Sequence, residues 1–293
     1  MKQSERGNLI AIPVILLVAG IIAWAGSQNG YRFSGIPIFA LCIGLAFVIQ
    51  WLVFIHAYSK KTEKYFDLTG SVTYLSLTWL AALLAPEVNG RVWLLIGIVS
   101  IWAIRLGTFL FRRVRAAGED RRFREIKTSF SRFLLTWTLQ GLWVSLTLAA
   151  VLAAITSKAR LGLDIFALVG FLFWLVGFGI EAIADRQKSE FRRDPDNAGK
   201  FIQTGLWAWS RHPNYFGEIM LWLGVAVIAF PELKGWQLLT LISPVFVFLL
   251  LTRVSGVPML EKRADEKWGG QANYEQYKSR TPVLFMKPPS KME

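Results

Sequence analysis

Long runs of apolar residues alternate along the chain with shorter polar segments. A helix needs about 20 residues to cross the hydrocarbon core of a bilayer, and each run is close to that length. Inside a bilayer every backbone amide must bond within its own segment, so the runs predict helices and not open strands. We predict about eight transmembrane helices, with seven as the alternative because one run is short. The runs are 8–26, 37–58, 70–86, 92–111, 133–155, 162–184, 216–230 and 236–254.

Basic residues are unevenly distributed among the loops that join these runs. Lys and Arg are concentrated in the loops 59–69, 112–132 and 185–215, which an eight-helix chain places on the same side as both termini. The positive-inside rule therefore predicts that both termini are cytoplasmic. Arg121 and Lys291 are expected on that side. The basic residues of the opposite loops are Arg32, Arg91, Lys158, Arg160 and Lys234.

Composition agrees with an all-α polytopic membrane bundle. Hydrophobic residues make up 54% of the chain and the mean hydropathy is +0.40, which leaves too little polar surface for a soluble domain. The net charge of +13 is explained by the cytoplasmic loops, and we expect no nucleic-acid partner. Cys42 is the only cysteine, and the histidines are His56 and His212, so no metal site is expected.

No repeat or linker divides the chain, so we predict a single integral membrane domain over residues 1–293. The tail from residue 261 onwards is polar and is expected to form a short amphipathic helix. We expect the chain to be a multi-pass protein of a bacterial inner (cytoplasmic) membrane. Membrane lipids and a hydrophobic, lipid-like substrate are the expected partners, and the oligomeric state stays open.

Polar residues at membrane depth are costly and are therefore functional candidates. Asp67 and Tyr74 lie seven residues apart, which is about two helical turns and places both on one face. Arg105 lies inside the fourth run, where snorkelling and function are both open interpretations. Gln140 lies inside the fifth run, where a hydrogen bond between two helices is favoured. Glu181 and Asp185 stand one turn apart near the end of the sixth run.

The densest polar cluster runs from residue 185 to 218. Its arginines and lysines suit phosphate groups, although basic loops also follow from topology alone. Topology does not explain the run RHPNYFGE, where side chains that form hydrogen bonds crowd the start of a membrane helix. Gly217 leaves room for something to lie against that helix. The candidate ligand-binding residues of this run are Arg211, His212, Asn214, Tyr215 and Glu218.

The segments DRQKSEFR and SRHPNYFGEIMLWLG resemble the C-terminal half of the steroid 5α-reductase family and its bacterial relatives, most clearly over residues 177–293. The resemblance implies a membrane fold that encloses NADPH from the cytoplasmic side and reduces a carbon–carbon double bond conjugated to a carbonyl. It implies that NADPH is contacted by Asp185, Arg192, Asn214, Glu218 and Arg253. We add Arg211, His212, Tyr215 and Arg105 to the candidate cofactor-binding residues.

The chain departs from the family near the substrate. Family reductases place a Gln–Glu pair on an early helix and a Tyr on a later one, close to the substrate carbonyl. If Arg105 aligns with the family arginine, Trp102 occupies the Tyr position, and we find no Gln–Glu pair. We therefore expect Tyr74 to act on the carbonyl oxygen, with Asp67 as its orienting partner. An interpretation in which both merely anchor the third helix is about as well supported.

A second group shares part of the signature. Membrane methyltransferases of prenylated or lipid substrates also carry RHPxYxG, followed by a Glu and a Tyr-x-x-Tyr stretch that Glu261, Tyr274 and Tyr277 resemble. S-adenosylmethionine is therefore the alternative cofactor, and a non-enzymatic transporter or assembly protein is the third interpretation. The position of Glu218, the spacing of Asp185 and Arg192, and the basic surplus favour NADPH. The predicted function is reduction of a sterol-like or prenoid substrate dissolved in the membrane.

Overall fold

The computed structural model describes residues 3–289, so Lys291 lies outside the described part. The helices are α1 (Gln3–Gly26), α2 (Ile38–Ser59), α3 (Phe66–Leu84), α4 (Gly90–Ala117), α5 (Phe130–Thr156), α6 (Ile165–Arg193), α7 (Pro213–Ala229), α8 (Ile242–Leu249), α9 (Val257–Trp268) and α10 (Ala272–Arg280). The strands β1 (Arg32–Phe33) and β2 (Ile36–Pro37) form one antiparallel hairpin. The all-α bundle predicted from the sequence is confirmed.

Seven helical segments within residues 3–289 are long and apolar enough to cross a membrane. They include Pro213–Glu232, which contains the run that the sequence marked as shortest. Helix α3 forms at its predicted place but is not among the seven. Its polar side chains, such as Asp67, Thr69 and Thr73, lower its hydropathy. The number seven therefore matches the alternative, but the helix left out is α3 and not the short run.

The chain forms two compact units. Unit 1 contains Met1–Leu168 and Ala226–Ser243, and unit 2 contains Val169–Val225 and Pro244–Glu293. The interpretation of the chain as a single domain stays a prediction.

Helix α5 is the central helix of unit 1, and α1, α2 and α3 pack around it. Side chains at its buried face form bonds to these neighbours. The Gln140 side chain donates to the carbonyl oxygen of Phe66 at 2.9 Å, and Thr138 accepts from the indole of Trp51 at 3.1 Å. The predicted role of Gln140 as a bond between two helices is confirmed.

Arg91, at the start of α4, joins several segments of unit 1. Its side chain is fully buried and donates to the carbonyl oxygens of Ile228 at 2.7 Å and Gly162 at 2.8 Å. Its guanidinium also lies 2.8 Å from the carboxylate of Asp164 and 3.8 Å from that of the fully buried Glu232. The sequence suggested only that Arg91 is a basic residue of a loop. In the structure its side chain joins segments that are distant along the chain.

Glycines bring two helices of unit 2 into backbone contact. A Cβ atom on Gly217 of α7 would lie 2.5 Å from the carbonyl oxygen of Gly177 on α6. One on Gly224, two turns later, would lie 2.5 Å from that of Gly170. Small residues allow such close approach between membrane helices. The space predicted beside Gly217 is therefore filled by α6.

The polar tail forms two helices, α9 and α10, where the sequence predicted one. A turn at Gly269 and Gly270 separates them, and Gly270 has a φ of 81° that suits glycine. Tyr274 donates to the Asp265 carboxylate at 3.0 Å, which fastens the second helix to the first.

Candidate functional site

The RHPNY segment is held in place by the C-terminal end of the chain. The backbone N–H of Arg211 donates to the carbonyl oxygen of Pro282 at 2.9 Å. The Ser210 hydroxyl donates to the carbonyl oxygen of Leu284 at 2.9 Å and accepts from the backbone N–H of His212 at 3.1 Å. Helix α7 then begins at Pro213, as expected from a residue whose fixed φ suits the first helical position.

Glu261 of α9 joins the two side chains that open the RHPNY run. One carboxylate oxygen lies 2.8 Å from Nε2 of His212, and the other lies 2.5 Å from the guanidinium of Arg211. The ring of Tyr215 stacks on the imidazole at a centroid distance of 5.6 Å and an interplanar angle of 9°. The imidazole is therefore fixed on its edge and on its face.

Burial lowers the pKa of His212, and the Glu261 carboxylate opposes this effect. A neutral imidazole beside a carboxylate donates its proton from Nε2, because the carboxylate can only accept. Nδ1 is then an acceptor. This assignment of the tautomer follows from the hydrogen-bond network.

Two buried acceptors of this segment have no hydrogen-bond partner among the described residues. They are Nδ1 of His212 and Oδ1 of Asn214. Buried polar atoms are normally paired, so such atoms are candidates for ligand contacts. Asn214 is the second residue of α7, and its side-chain oxygen does not cap the helix. The two acceptors suit a ligand with an amide or amino N–H.

Cations surround the loop before α7. The Lys188 ammonium lies 4.1 Å from the centroid of the Trp207 ring. The indole of Trp207 donates to the carbonyl oxygen of Ala184 at 3.0 Å, which holds the loop against α6. Arg192 and Arg193 end α6 with exposed side chains. This surface can neutralise phosphate groups.

The remaining candidates of unit 2 lie on three helical segments. Asp185 is buried on α6, and Glu218 is partly buried one turn after Asn214 on α7. Arg253 is exposed in a π-helical turn, Leu250–Val254. Such turns are rare and often occur at functional sites.

The candidates of unit 1 lie on α3 and α4. The Tyr74 ring packs edge-on against Trp102, with a centroid distance of 5.1 Å. The Asp67 carboxylate lies 3.8 Å from Arg113 and 3.7 Å from Arg122. The Arg105 guanidinium lies 5.8 Å from the centroid of the Phe109 ring.

Sequence reasoning left Glu261 out of the candidate site and noted it only for the methyltransferase resemblance. Glu261 is one of several acids in the polar stretch after the last apolar run, and it lies 49 residues from His212. Nothing in that spacing predicts the contact, because it depends on how the break between α8 and α9 at Gly256 directs α9.

These features define a multi-pass helical membrane protein with a polar site at the start of a membrane helix. The chain belongs to the family described as protein of unknown function DUF1295, which it matches over residues 53–281. The resemblance to the steroid 5α-reductase family is also confirmed.

Curated relatives carry that resemblance. The 3-oxo-5-alpha-steroid 4-dehydrogenase 1 of Rattus norvegicus is 33% identical over 87 residues, which cover 29% of this chain and 31% of the relative. The Homo sapiens protein of the same name is 33% identical over 85 residues, or 29% and 30% of the two chains. An uncharacterised protein of Schizosaccharomyces pombe is 31% identical over 126 residues, or 36% and 34%. The chain thus spans about a third of the length of these relatives, and no solved structure matches it.

Proposed function

We propose that this protein is an NADPH-dependent reductase of a conjugated carbon–carbon double bond in a hydrophobic, membrane-dissolved substrate of sterol-like or prenoid type. The observation that carries the proposal is the pair of buried acceptors at His212 and Asn214, beside the ion-paired Glu261. The similarity to relatives named 3-oxo-5-alpha-steroid 4-dehydrogenase supports the reaction class. We place the protein in a bacterial inner membrane.

The residues of unit 2 fit the polar parts of NADPH. Asn214 and His212 can accept hydrogen bonds from the carboxamide N–H of the nicotinamide, and Glu218 lies one turn further along α7. Arg192, with Lys188 beside it, can neutralise phosphate charges, because a planar guanidinium binds phosphate through two hydrogen bonds. Asp185, Arg211, Tyr215 and Arg253, together with Arg105 of unit 1, complete the proposed cofactor-binding set.

Tyr74 and Asp67 are the proposed catalytic residues. NADPH supplies the hydride for the β-carbon of the enone. The Tyr74 phenol would donate a hydrogen bond to the carbonyl oxygen, where negative charge develops, in an environment that excludes water. Its ring packs against Trp102. If Arg105 aligns with the family arginine, Trp102 occupies the family's Tyr position, and the Tyr74 phenol would lie beside it. Asp67 would orient the phenol. Burial raises the pKa of its carboxyl, and the two arginine neighbours oppose this effect.

The alternative function is an S-adenosylmethionine-dependent methyltransferase of a lipid or prenylated substrate. The bond between His212 and Glu261 is compatible with it, because both residues resemble positions of the methyltransferase signature. The same bond serves the reductase interpretation, so it does not separate the two. A transporter or assembly protein has no structural observation in its favour.

Cofactor-dependent stabilisation separates these functions. We expect NADPH to raise the melting temperature of the detergent-solubilised protein, and NADH and S-adenosylmethionine to raise it much less. Asn214→Ala and Glu218→Gln should each weaken NADPH binding roughly 2- to 12-fold, the effect of one lost hydrogen bond of about 0.5–1.5 kcal/mol. The exposed Glu266→Gln on α9 is the control, with unchanged binding.

Stabilisation by S-adenosylmethionine alone would reverse the order of the two enzymes. If Glu218→Gln bound NADPH as tightly as the parent, α7 would have no role in holding the cofactor. Tyr74→Phe should keep the NADPH shift and lose most reduction of an enone, which separates the catalytic proposal from the cofactor proposal.

A further inference from the structure

A cavity of about 300 Å³ lies in unit 1 where α3 begins and α4 ends, at the predicted cytoplasmic side. It belongs to neither the proposed catalytic pair nor the RHPNY segment. Its walls combine cationic and apolar side chains. The lining residues are Lys64, Tyr65, Phe111, Val114, Arg115 and Gly118.

Two helix ends shape this cavity. Helix α4 ends at Ala117, and Gly118 follows it with a φ of 77°, a backbone conformation that favours glycine. A Cβ atom built on Gly118 would meet nothing within 4 Å, so the cavity is open on this side. On the other wall, the turn before α3 is fixed by the backbone N–H of Phe66, which donates to the carbonyl oxygen of Glu63 at 2.9 Å.

The cavity keeps a positive charge because the neighbouring acids are bound elsewhere. The Asp67 carboxylate faces Arg113 and Arg122, and that of Glu63 accepts from Lys127 at 2.7 Å. Glu119 pairs with Arg124, and Asp120 pairs with Arg122. Lys64 and Arg115 are exposed and, within residues 3–289, have no ion pair with any of these acids. Two cations therefore face the cavity without a counter-charge.

The apolar wall, beside the two cations, favours an amphipathic ligand with an anionic group. Val114 is buried, Phe111 is partly buried, and Tyr65 exposes 43% of its surface. The cavity lies at the end of the apolar segment Gly90–Ala116, where lipid headgroups meet a membrane protein. Aromatic residues concentrate at this level, and basic pockets on the cytoplasmic side of membrane helices bind anionic headgroups.

We propose that this cavity binds the phosphate headgroup of an anionic phospholipid, with Lys64 and Arg115 as the phosphate ligands. The wall formed by Tyr65, Phe111 and Val114 would contact the glycerol and the upper acyl chain. The site is independent of the proposed reductase activity.

The test is lipid binding by the purified full-length protein, measured by native mass spectrometry and by thermal shift. The probes are short-chain phosphatidylglycerol, short-chain phosphatidylcholine and inorganic pyrophosphate. We expect phosphatidylglycerol to stabilise the parent more than the other two. A surface cation contributes roughly a five-fold change in such binding, so Lys64→Gln with Arg115→Gln should weaken it by roughly 25-fold.

The matched control is Lys60→Gln with Arg112→Gln, which removes the same charge from exposed residues of the same segments outside the cavity. It should bind phosphatidylglycerol nearly as the parent does. Lys64→Arg with Arg115→Lys keeps both charges and should keep most of the binding. Equal loss in the cavity variant and the control, or equal stabilisation by phosphatidylcholine, would refute the proposal. Equal stabilisation by pyrophosphate would also overturn it, in favour of a soluble phosphate ligand.

Discussion

Two glycines of α6 allow a matched test of the helix contact in unit 2. A Cβ atom on Gly177 would lie 2.6 Å from both the carbonyl oxygen of Gly217 and the backbone nitrogen of Leu221. The van der Waals contact distance between non-bonded atoms is about 3.5 Å or more, so Gly177→Ala must push the helices roughly 1 Å apart. A Cβ atom on Gly179 of the same helix would meet nothing within 4 Å.

The difference between the two variants follows from these distances. Overpacking costs about 1–3 kcal/mol, and the upper half applies at Gly177 because the obstacles are backbone atoms. Both variants gain up to about 1 kcal/mol from the better helix propensity of Ala. Gly179→Ala should therefore be neutral or stabilising, and Gly177→Ala should melt roughly 2–10 °C below it.

The assay is tryptophan fluorescence on heating, in one detergent and at one scan rate, since unfolding of a membrane protein is commonly irreversible. The NADPH-induced shift should also shrink in Gly177→Ala, because α7 carries Asn214 and Glu218. Equal melting temperatures for the two alanine variants would refute the close helix contact.

Three further predictions concern charge. Burial holds the pKa of His212 below its ordinary value of 6.5, so protonation favours the unfolded chain. The contribution of His212 to stability should be complete above pH 6.5 and should fall below it. His212→Gln should flatten this part of the curve of stability against pH. A cysteine at Arg121 should react with a membrane-impermeant thiol reagent only in opened cells, whereas one at Lys158 should react in intact cells; the reverse pattern would invert the topology. Arg91→Met should lower stability by roughly 3–5 kcal/mol in chemical denaturation, and the double variant with Glu232→Leu should lose less than the two single variants together; strict additivity would contradict the buried pairing.

Hydrophobic length predicted the helices because the bilayer imposes a single rule on every apolar segment. That rule placed α1, α2 and α5 within a few residues of their observed ends. It also placed α3, whose polar side chains lie partly inside unit 1, as the Gln50 side chain shows by donating to Thr73 at 2.9 Å. Hydropathy alone does not decide whether such a helix crosses the membrane, because protein contacts replace lipid around it.

Contacts between distant residues were beyond the sequence. The density of polar side chains in the RHPNY run predicted a site, and Pro213 predicted the start of α7. The sequence did not predict that Glu261 is the partner of His212 and Arg211. Nothing in the sequence distinguishes this carboxylate from the other acids of the tail. Gly217 predicts a close approach to its helix, but a missing side chain does not identify the neighbour, which is α6.

The burial of Arg91 imposes an order on the biogenesis of the protein. The guanidinium belongs to the start of α4, whereas Asp164 and Glu232 leave the ribosome 73 and 141 residues later. During that interval the guanidinium has neither of these two carboxylates as a partner. The final pairing buries the guanidinium and offsets its charge. Glu232 thereby completes the contacts of a segment synthesised long before it, so unit 1 can reach its final packing only after translation has passed α7 and Glu232.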